Sequence, residues 1–484
     1  MRVVSQTRSA RLAILATAIL AASFLLAGRA SAAQAVPGLT IGFSADPVLT
    51  AGTSATRAPW ITKALGVGAS MVRMNINWAQ IAPAKRPRGF EASNPASPGY
   101  NWSSVDGPVR DLRARGLQVL ITILDAPAWA EGPGRPSGVT PGTWRPSPTQ
   151  LALFAQAAAR RYSGRFRAPG DPATFLPRVR YWQAWNEPNL SIDLTPQWTG
   201  RRGFTPASPT IYRRMENAFY RAIKGVSSSD FVVLGGTAPY GDLPGGQRMQ
   251  PVTFYQSLFC LSIALTRIHC SDPTIYFDAV DHHPYGIGGP LQPALNADDV
   301  AVPDIHKITQ VLRAGEGTGS VLPRGPKAVW VSETAWDSSP PNPNGVPVQQ
   351  QARWYEQAMY VLWRQGVDTV LWLQIIDAAP IPNYGSTYQG GLFYLDGSPK
   401  PAATAVSFPF VTSRIDRSHV WAWGRAPMAG VLTLEVREAG QWAVLWRLRV
   451  RTHQVFLTKL TLSGAAVLQA QIGGQTSLTW SQAA

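Results

Sequence analysis

The chain has 484 residues, 45% of them hydrophobic and 15% charged, a balance that excludes a disordered chain. That length exceeds one ordinary core, so a large barrel with an appendage, or two domains, is expected. Net charge is +16, but the Lys and Arg residues are scattered with no run of five or six, which argues against nucleic acid as a partner.

Residues 1–32 read as an export signal peptide. Arg2, Arg8 and Arg11 precede the apolar run "LAILATAILAASFLLAG" (12–28), and "ASA" (30–32) supplies small residues for cleavage. An uncleaved anchor is the rival reading, but a run of 17 residues is at the short end of what crosses a bilayer. A secreted or envelope-associated protein, off the membrane once the leader is cut, is therefore expected.

Eight apolar runs follow, rich in β-branched and aromatic residues. They are 39–43, 70–75, 117–124, 179–185, 231–236, 276–283, 327–333 and 368–374. Helical periodicity lies between them, clearest in 104–116 and 348–366, each ending on a glycine suited to a helix C-terminus. Links from helix to strand are short. Those from strand to helix are long and rich in Pro, Gly and aromatics, as in 126–148, 334–347 and 378–391. This alternation predicts a (β/α)8 barrel over 33–410, with the long loops walling a cleft at the C-terminal ends of its strands. Beyond it, the short runs 419–426, 430–438, 441–450, 454–462 and 466–474 predict a small antiparallel β-sandwich over 411–484.

Cys260 and Cys270, the two cysteines of the chain, are ten apart and in an exported protein are expected to form a disulfide. No metal or cofactor is expected, because the histidines lack ligand spacing and no Gly-rich phosphate loop follows the first strand.

The fourth and seventh runs end on carboxylates, in "WNEP" (185–188) and "SETAW" (332–336). Glu187 stands between an amide and a proline, and Glu333 closes a run too apolar for a solvated edge. Two carboxyls at strand tips suit glycoside hydrolysis, where one donates a proton while the other attacks or activates water.

These motifs, with "HHPYG" (282–286) at the sixth strand and "VRMNINW" (72–78) at the second, resemble those of clan A glycoside hydrolases, most like families 39 and 5, over roughly residues 39–408. The resemblance implies Glu187 as general acid/base and Glu333 as nucleophile of a retaining double displacement. It also implies that Asn186 binds the sugar 2-hydroxyl, Arg73 keeps Glu333 ionised, Tyr285 donates to Glu333 and His283 shapes that same subsite. Trp372 is expected as a stacking floor under the sugar, and Trp78 and Trp336 as further aromatic contacts. The expected partner is a polysaccharide or oligosaccharide, cut within the chain by a monomer, with no cofactor. A non-catalytic glycan-binding protein on the same scaffold is the alternative. Trp421, Trp423, Trp442 and Trp446 of the sandwich are either glycan contacts or packing.

Overall fold

The computed structural model describes Ser31–Ala32 and residues 37–484. The expected leader lies, apart from its last two residues, outside them. The described residues form two compact units, Pro37–Val411 in one, and Thr412–Ala484 with Ser31–Ala32 in the other.

In the first unit, eight parallel strands close into a barrel in chain order: β1 (Thr40–Ser44), β2 (Met71–Asn77), β3 (Gln118–Leu124), β4 (Tyr181–Ala184), β5 (Phe231–Leu234), β6 (Ala279–Asp281), β7 (Ala328–Val331) and β8 (Thr369–Trp372). The last strand pairs with the first, Trp372 opposite Phe43, so no edge is left open. Each strand is followed by a helix: α1 (Ser54–Gly66), α2 (Ser103–Ala114), α3 (Pro148–Arg161), α4 (Ser208–Val226), α5 (Pro251–Leu258), α6 (Ile305–Thr318), α7 (Val348–Arg364) and α8 (Pro401–Ser407). The eight expected strands are all present, and this is the (β/α)8 fold.

Local chemistry sets the helix ends. Ser147 caps α3 by accepting from the Gln150 amide, with Pro148 at the first turn, where no N–H is needed. After α2 and α7 the chain turns through Gly116 and Gly366 at φ of 84° and 88°, a conformation glycine adopts without strain.

Side chains alternate along each strand, and one inward set plugs the barrel. Met71, Leu120, Val233, Ala279, Trp330 and Leu371 form a buried apolar cluster, with Tyr181, Phe231 and Ala328 packed against it. The barrel is a packed core, and the space for chemistry lies above this layer.

The second unit holds antiparallel strands in two sheets. β9 (Phe410–Asp416), β10 (His419–Arg425) and β13 (Val455–Thr461) form one. β11 (Gly430–Glu438), β12 (Gln441–Val450), β14 (Ala466–Ile472), β15 (Gln475–Thr476) and β16 (Trp480–Gln482) form the other, with Ser31–Ala32 paired parallel to β12, a β-sandwich arrangement. Trp423 is fully buried there, whereas Trp442 and Trp446 are 37% and 40% exposed on β12. In the first unit, Cys260 and Cys270 are joined by a disulfide.

Candidate active site

Two residues further along five of the strands, the inward positions turn polar. Arg73 follows Met71, Thr122 follows Leu120, Gln183 follows Tyr181, Asp281 follows Ala279 and Ser332 follows Trp330, and all five are buried. Buried polar groups need partners, and here they supply one another. Arg73 Nε donates to Thr122 Oγ1 at 3.0 Å and Gln183 Oε1 at 2.9 Å. Gln183 Nε2 donates to Asp281 Oδ2 at 2.7 Å and to the Leu234 carbonyl at 2.7 Å. Asp281 accepts from the Ser332 amide at 2.8 Å and from the Ser332 hydroxyl. Burial pushes the Asp281 carboxyl up, but His283, Arg73 and Ser332 outweigh it and hold the group below its ordinary range.

The carboxylates of interest rest on this layer. From Arg73, Nη1 donates to Glu333 Oε2 at 3.0 Å and Nη2 to Asn186 Oδ1 at 2.7 Å. The Tyr285 hydroxyl donates to the other oxygen of Glu333, Oε1, at 2.8 Å. His283 Nδ1 lies 2.9 Å from Glu187 Oε1 and 3.9 Å from Glu333 Oε2. The two carboxyls therefore flank one imidazole nitrogen. The sum of those two distances caps the gap between these oxygens near the bottom of the inverting range, about 6.5–9.5 Å. Both glutamates remain open to solvent, with side chains 17% and 19% exposed.

The adjacent histidines are in opposite states. Burial pulls His283 down, but Glu333, Asp281 and Glu187 around it push it up to about 10, so it is an imidazolium at neutral pH. His282 faces Thr237 Oγ1 at 2.8 Å and the Val300 carbonyl at 2.9 Å, and burial lowers it to about 4. His283 is seated through Gly236. A Cβ at that position would meet His283 Nε2 at 2.2 Å and Asp281 Oδ2 at 2.8 Å.

The strand exits are bent to present these groups. Trp185 and Glu187 have φ of 72° and 34°, left-handed values uncommon outside glycine. Asn189, buried behind the turn, fixes it by accepting from the Ala238 amide at 2.8 Å and donating to the Ala238 and Met249 carbonyls.

The structure thus brings together Arg73, Asn186, Glu187, His283, Tyr285 and Glu333. His283 was expected only to shape the subsite; its ring nitrogens meet Glu187 Oε1 at 2.9 Å and Ser332 Oγ at 3.1 Å. Three tryptophans are corrected. Trp372 is 0% exposed and packs edge-on against Tyr355 of α7 at 4.2 Å, because strand alternation turns it outward while Leu371 faces in. Trp78 is 0% exposed, stacked on Phe154 at 5.4 Å. Trp336 is 6% exposed, with its indole N–H donating to the Gly288 carbonyl at 2.8 Å. None of the three offers a face to a sugar.

Other residues at the site were not singled out from the sequence, or had no role assigned. Asp193 stands behind Asn186, Oδ1 to Nδ2 at 3.5 Å. Burial, then the charge of Glu187, pushes it up to about 8. Asp125, at φ 60° on the exit of β3, accepts from Asn77 Nδ2 at 2.6 Å, and burial raises it too. Tyr388, 56% exposed, lies nearly parallel to Tyr285 at 6.5 Å and is the aromatic face beside Glu333. For Thr122, Gln183, Asp281 and Ser332 a signal existed: each is a polar residue two positions beyond an apolar inward one. Asp193 and Tyr388 lie in irregular loops, where no period marks a face.

No family model matches the chain, and no curated protein matches it by sequence. Among solved structures it is similar to a family 39 glycoside hydrolase from the gut symbiont Bacteroides cellulosilyticus WH2, at 17% identity and TM-score 0.52, covering 88% of this chain and 81% of that one. A GH39 β-xylosidase from Caulobacter crescentus is 16% identical, with 90% and 98% covered and TM-score 0.48. GH5_18 from Streptomyces cattleya, solved in complex with GlcNAc, is 16% identical, with 77% and 80% covered and TM-score 0.47. The first likeness shows that this chain has the fold of a family 39 glycoside hydrolase.

Proposed function

We propose that the protein is an exported retaining β-glycoside hydrolase acting on a polysaccharide or oligosaccharide, with Glu333 as nucleophile and Glu187 as general acid and base. One observation carries this reading: Glu187 and Glu333 flank His283 Nδ1, while Arg73 and Tyr285 hold opposite oxygens of Glu333. A carboxylate anchored at both oxygens, by Arg73 and by Tyr285, is oriented for attack on an anomeric carbon.

In the first step Glu187 protonates the leaving oxygen from the carboxyl oxygen that His283 does not engage. Glu333 attacks C1 from the opposite face, the glycosidic bond breaks and a glycosyl ester forms. In the second step Glu187, now a carboxylate, takes a proton from water, which attacks C1 and releases Glu333. Asn186 has its carbonyl committed to Arg73, so its amide is the group left to face a sugar hydroxyl. Asp193, neutral below about pH 8, adds no further negative charge beside Glu187 while the acid holds its proton. The long connections after β3, β7 and β8 gather at this face, which supports a chain-length substrate cut internally.

A panel of aryl β-glycosides and polysaccharides, assayed with wild type, Glu187→Gln and Glu333→Gln, tests the reading. Wild type is expected to cleave at least one member, with each variant down by about 10²–10⁴-fold or more. Binding of one glycan by all three proteins, with cleavage by none, would make the protein a glycan binder instead.

A further inference from the structure

Walled in part by Ser44 and Tyr388, the protein has a cavity of about 390 Å³. It opens between the exits of β8 and β1, and in an eight-stranded barrel β8 is diametrically opposite β4. Two contacts join it to the candidate site. Ser44, in its wall, accepts at 3.1 Å from the same Arg73 Nη1 that donates to Glu333. Tyr388, also in the wall, lies along Tyr285, and Tyr285 donates to Glu333. Ala45 turns the chain out of β1 at φ 42° and so places the following residues over the opening.

The lining is unusual for a sugar site. Val48, Leu373, Ile376, Ala379 and Leu395 give it walls of aliphatic carbon. Most polar side-chain atoms among them serve the protein's own backbone and ion pairs, the exception being Asp377 Oδ2, which is buried without a hydrogen-bond partner. Asp46 accepts from the amides of Val48 at 3.0 Å and Ile375 at 2.7 Å. Gln374 donates to the Tyr388 carbonyl at 2.7 Å. Asp377 accepts from Lys400 Nζ at 2.6 Å and from the Gly391 amide at 3.0 Å. A hydroxyl entering such a space leaves water without full replacement of its hydrogen bonds, whereas a methyl group gains from the transfer.

Resting on the hydrolase reading above, we infer that this cavity is a specificity subsite for the sugar retained on Glu333, and that it takes a methyl-terminated substituent of that sugar, either a 6-deoxy carbon or an O-acyl group. The leaving group departs past Glu187 at β4, so the ring left on the β7 glutamate directs its substituents toward β8 and β1. There the aliphatic wall discriminates by burying the methyl.

The test uses p-nitrophenyl β-glycosides in matched pairs, glucoside against 6-deoxyglucoside, galactoside against fucoside, and glucoside against 6-O-acetylglucoside. Wild type should favour the methyl-bearing member of at least one pair by about tenfold or more in kcat/KM, and Ile376→Asn or Leu373→Asn should bring that ratio near one. Preference in the deoxy pairs or in the acetyl pair tells the two sources apart. Equal or better cleavage of the hydroxyl parents, or a ratio unmoved in both variants, overturns the inference and leaves the hydrolase reading standing. Calorimetric binding of the same pairs to Glu187→Gln reads the subsite without turnover. There a methyl preference upholds the subsite even if catalysis fails, and no preference, or no binding, rejects it.

Discussion

Two successive layers inside one barrel make opposite use of the same strands. The lower layer, Met71, Leu120, Val233, Ala279, Trp330 and Leu371, is apolar and closed. Two residues above it on five of the strands, Arg73, Thr122, Gln183, Asp281 and Ser332 are equally buried yet polar. Replacing such a buried polar set with well-packed carbon is often neutral or stabilising, so stability alone does not account for it. It stands directly beneath Glu187, His283 and Glu333, and supplies them with fixed charges and donors that need no rearrangement during a reaction. The lower layer holds the barrel together, and the upper one orients the chemistry.

The comparison is broken most severely at Arg73. Arg73→Met removes donors to Ser44, Thr122, Gln183, Asn186 and Glu333 together. Thermal unfolding should show a loss of about 3–5 kcal/mol, and turnover should fall at least a thousandfold. Survival of activity would sever the upper layer from function. Leu371→Ala, in the lower layer, should cost roughly 2–4 kcal/mol through its cavity, but with kcat of the folded fraction within a few fold of wild type. A similar Tm loss accompanied by abolished kcat would erase the distinction between layers. Gly236→Ala is predicted to cost about 1–3 kcal/mol. It should lower kcat more than KM rises, because the new methyl displaces His283 rather than substrate.

The smallest effect sharpens the boundary of the polar layer. Folded Asp193 keeps its proton up to about pH 8, while unfolded it ionises near the ordinary 3.8. The folded chain therefore binds the extra proton between those limits, and its contribution to stability falls as pH rises through that window. Asp193→Asn should raise Tm at pH 8, by roughly 1–2 kcal/mol in stability, and leave it unchanged at pH 3.5. The alkaline limb of the pH–rate profile should also move upward. An unchanged limb would remove Asp193 from the account of Glu187.

Much of this was legible in the sequence because strands carry a period of two. Eight apolar runs foretold the barrel, and the carboxylates that end the fourth and seventh foretold the place of Glu187 and Glu333, whereas Arg73 and His283 were legible only through the motif resemblance. The same period, applied to β8, would have turned Trp372 outward, since Leu371 faces in. The motif resemblance set that parity aside and put the indole under the sugar. Trp78 and Trp336 failed for another reason: an aromatic at a loop's start packs on its own scaffold more readily than it faces water. The paired histidines show the limit of motif reading. "HH" looks symmetrical on paper, yet three carboxylates surround His283, while His282 meets a hydroxyl and a carbonyl. Asp193 and Tyr388 were beyond reach, because their neighbours are set by loops that no local period describes.

The most direct test of the central claim is proton NMR of the first product formed by wild type from a β-glycoside it cleaves, taken before mutarotation. Attack by Glu333 followed by water predicts the β anomer. Appearance of the α anomer first would mean single displacement by water, and would contradict the assignment of Glu333 as nucleophile.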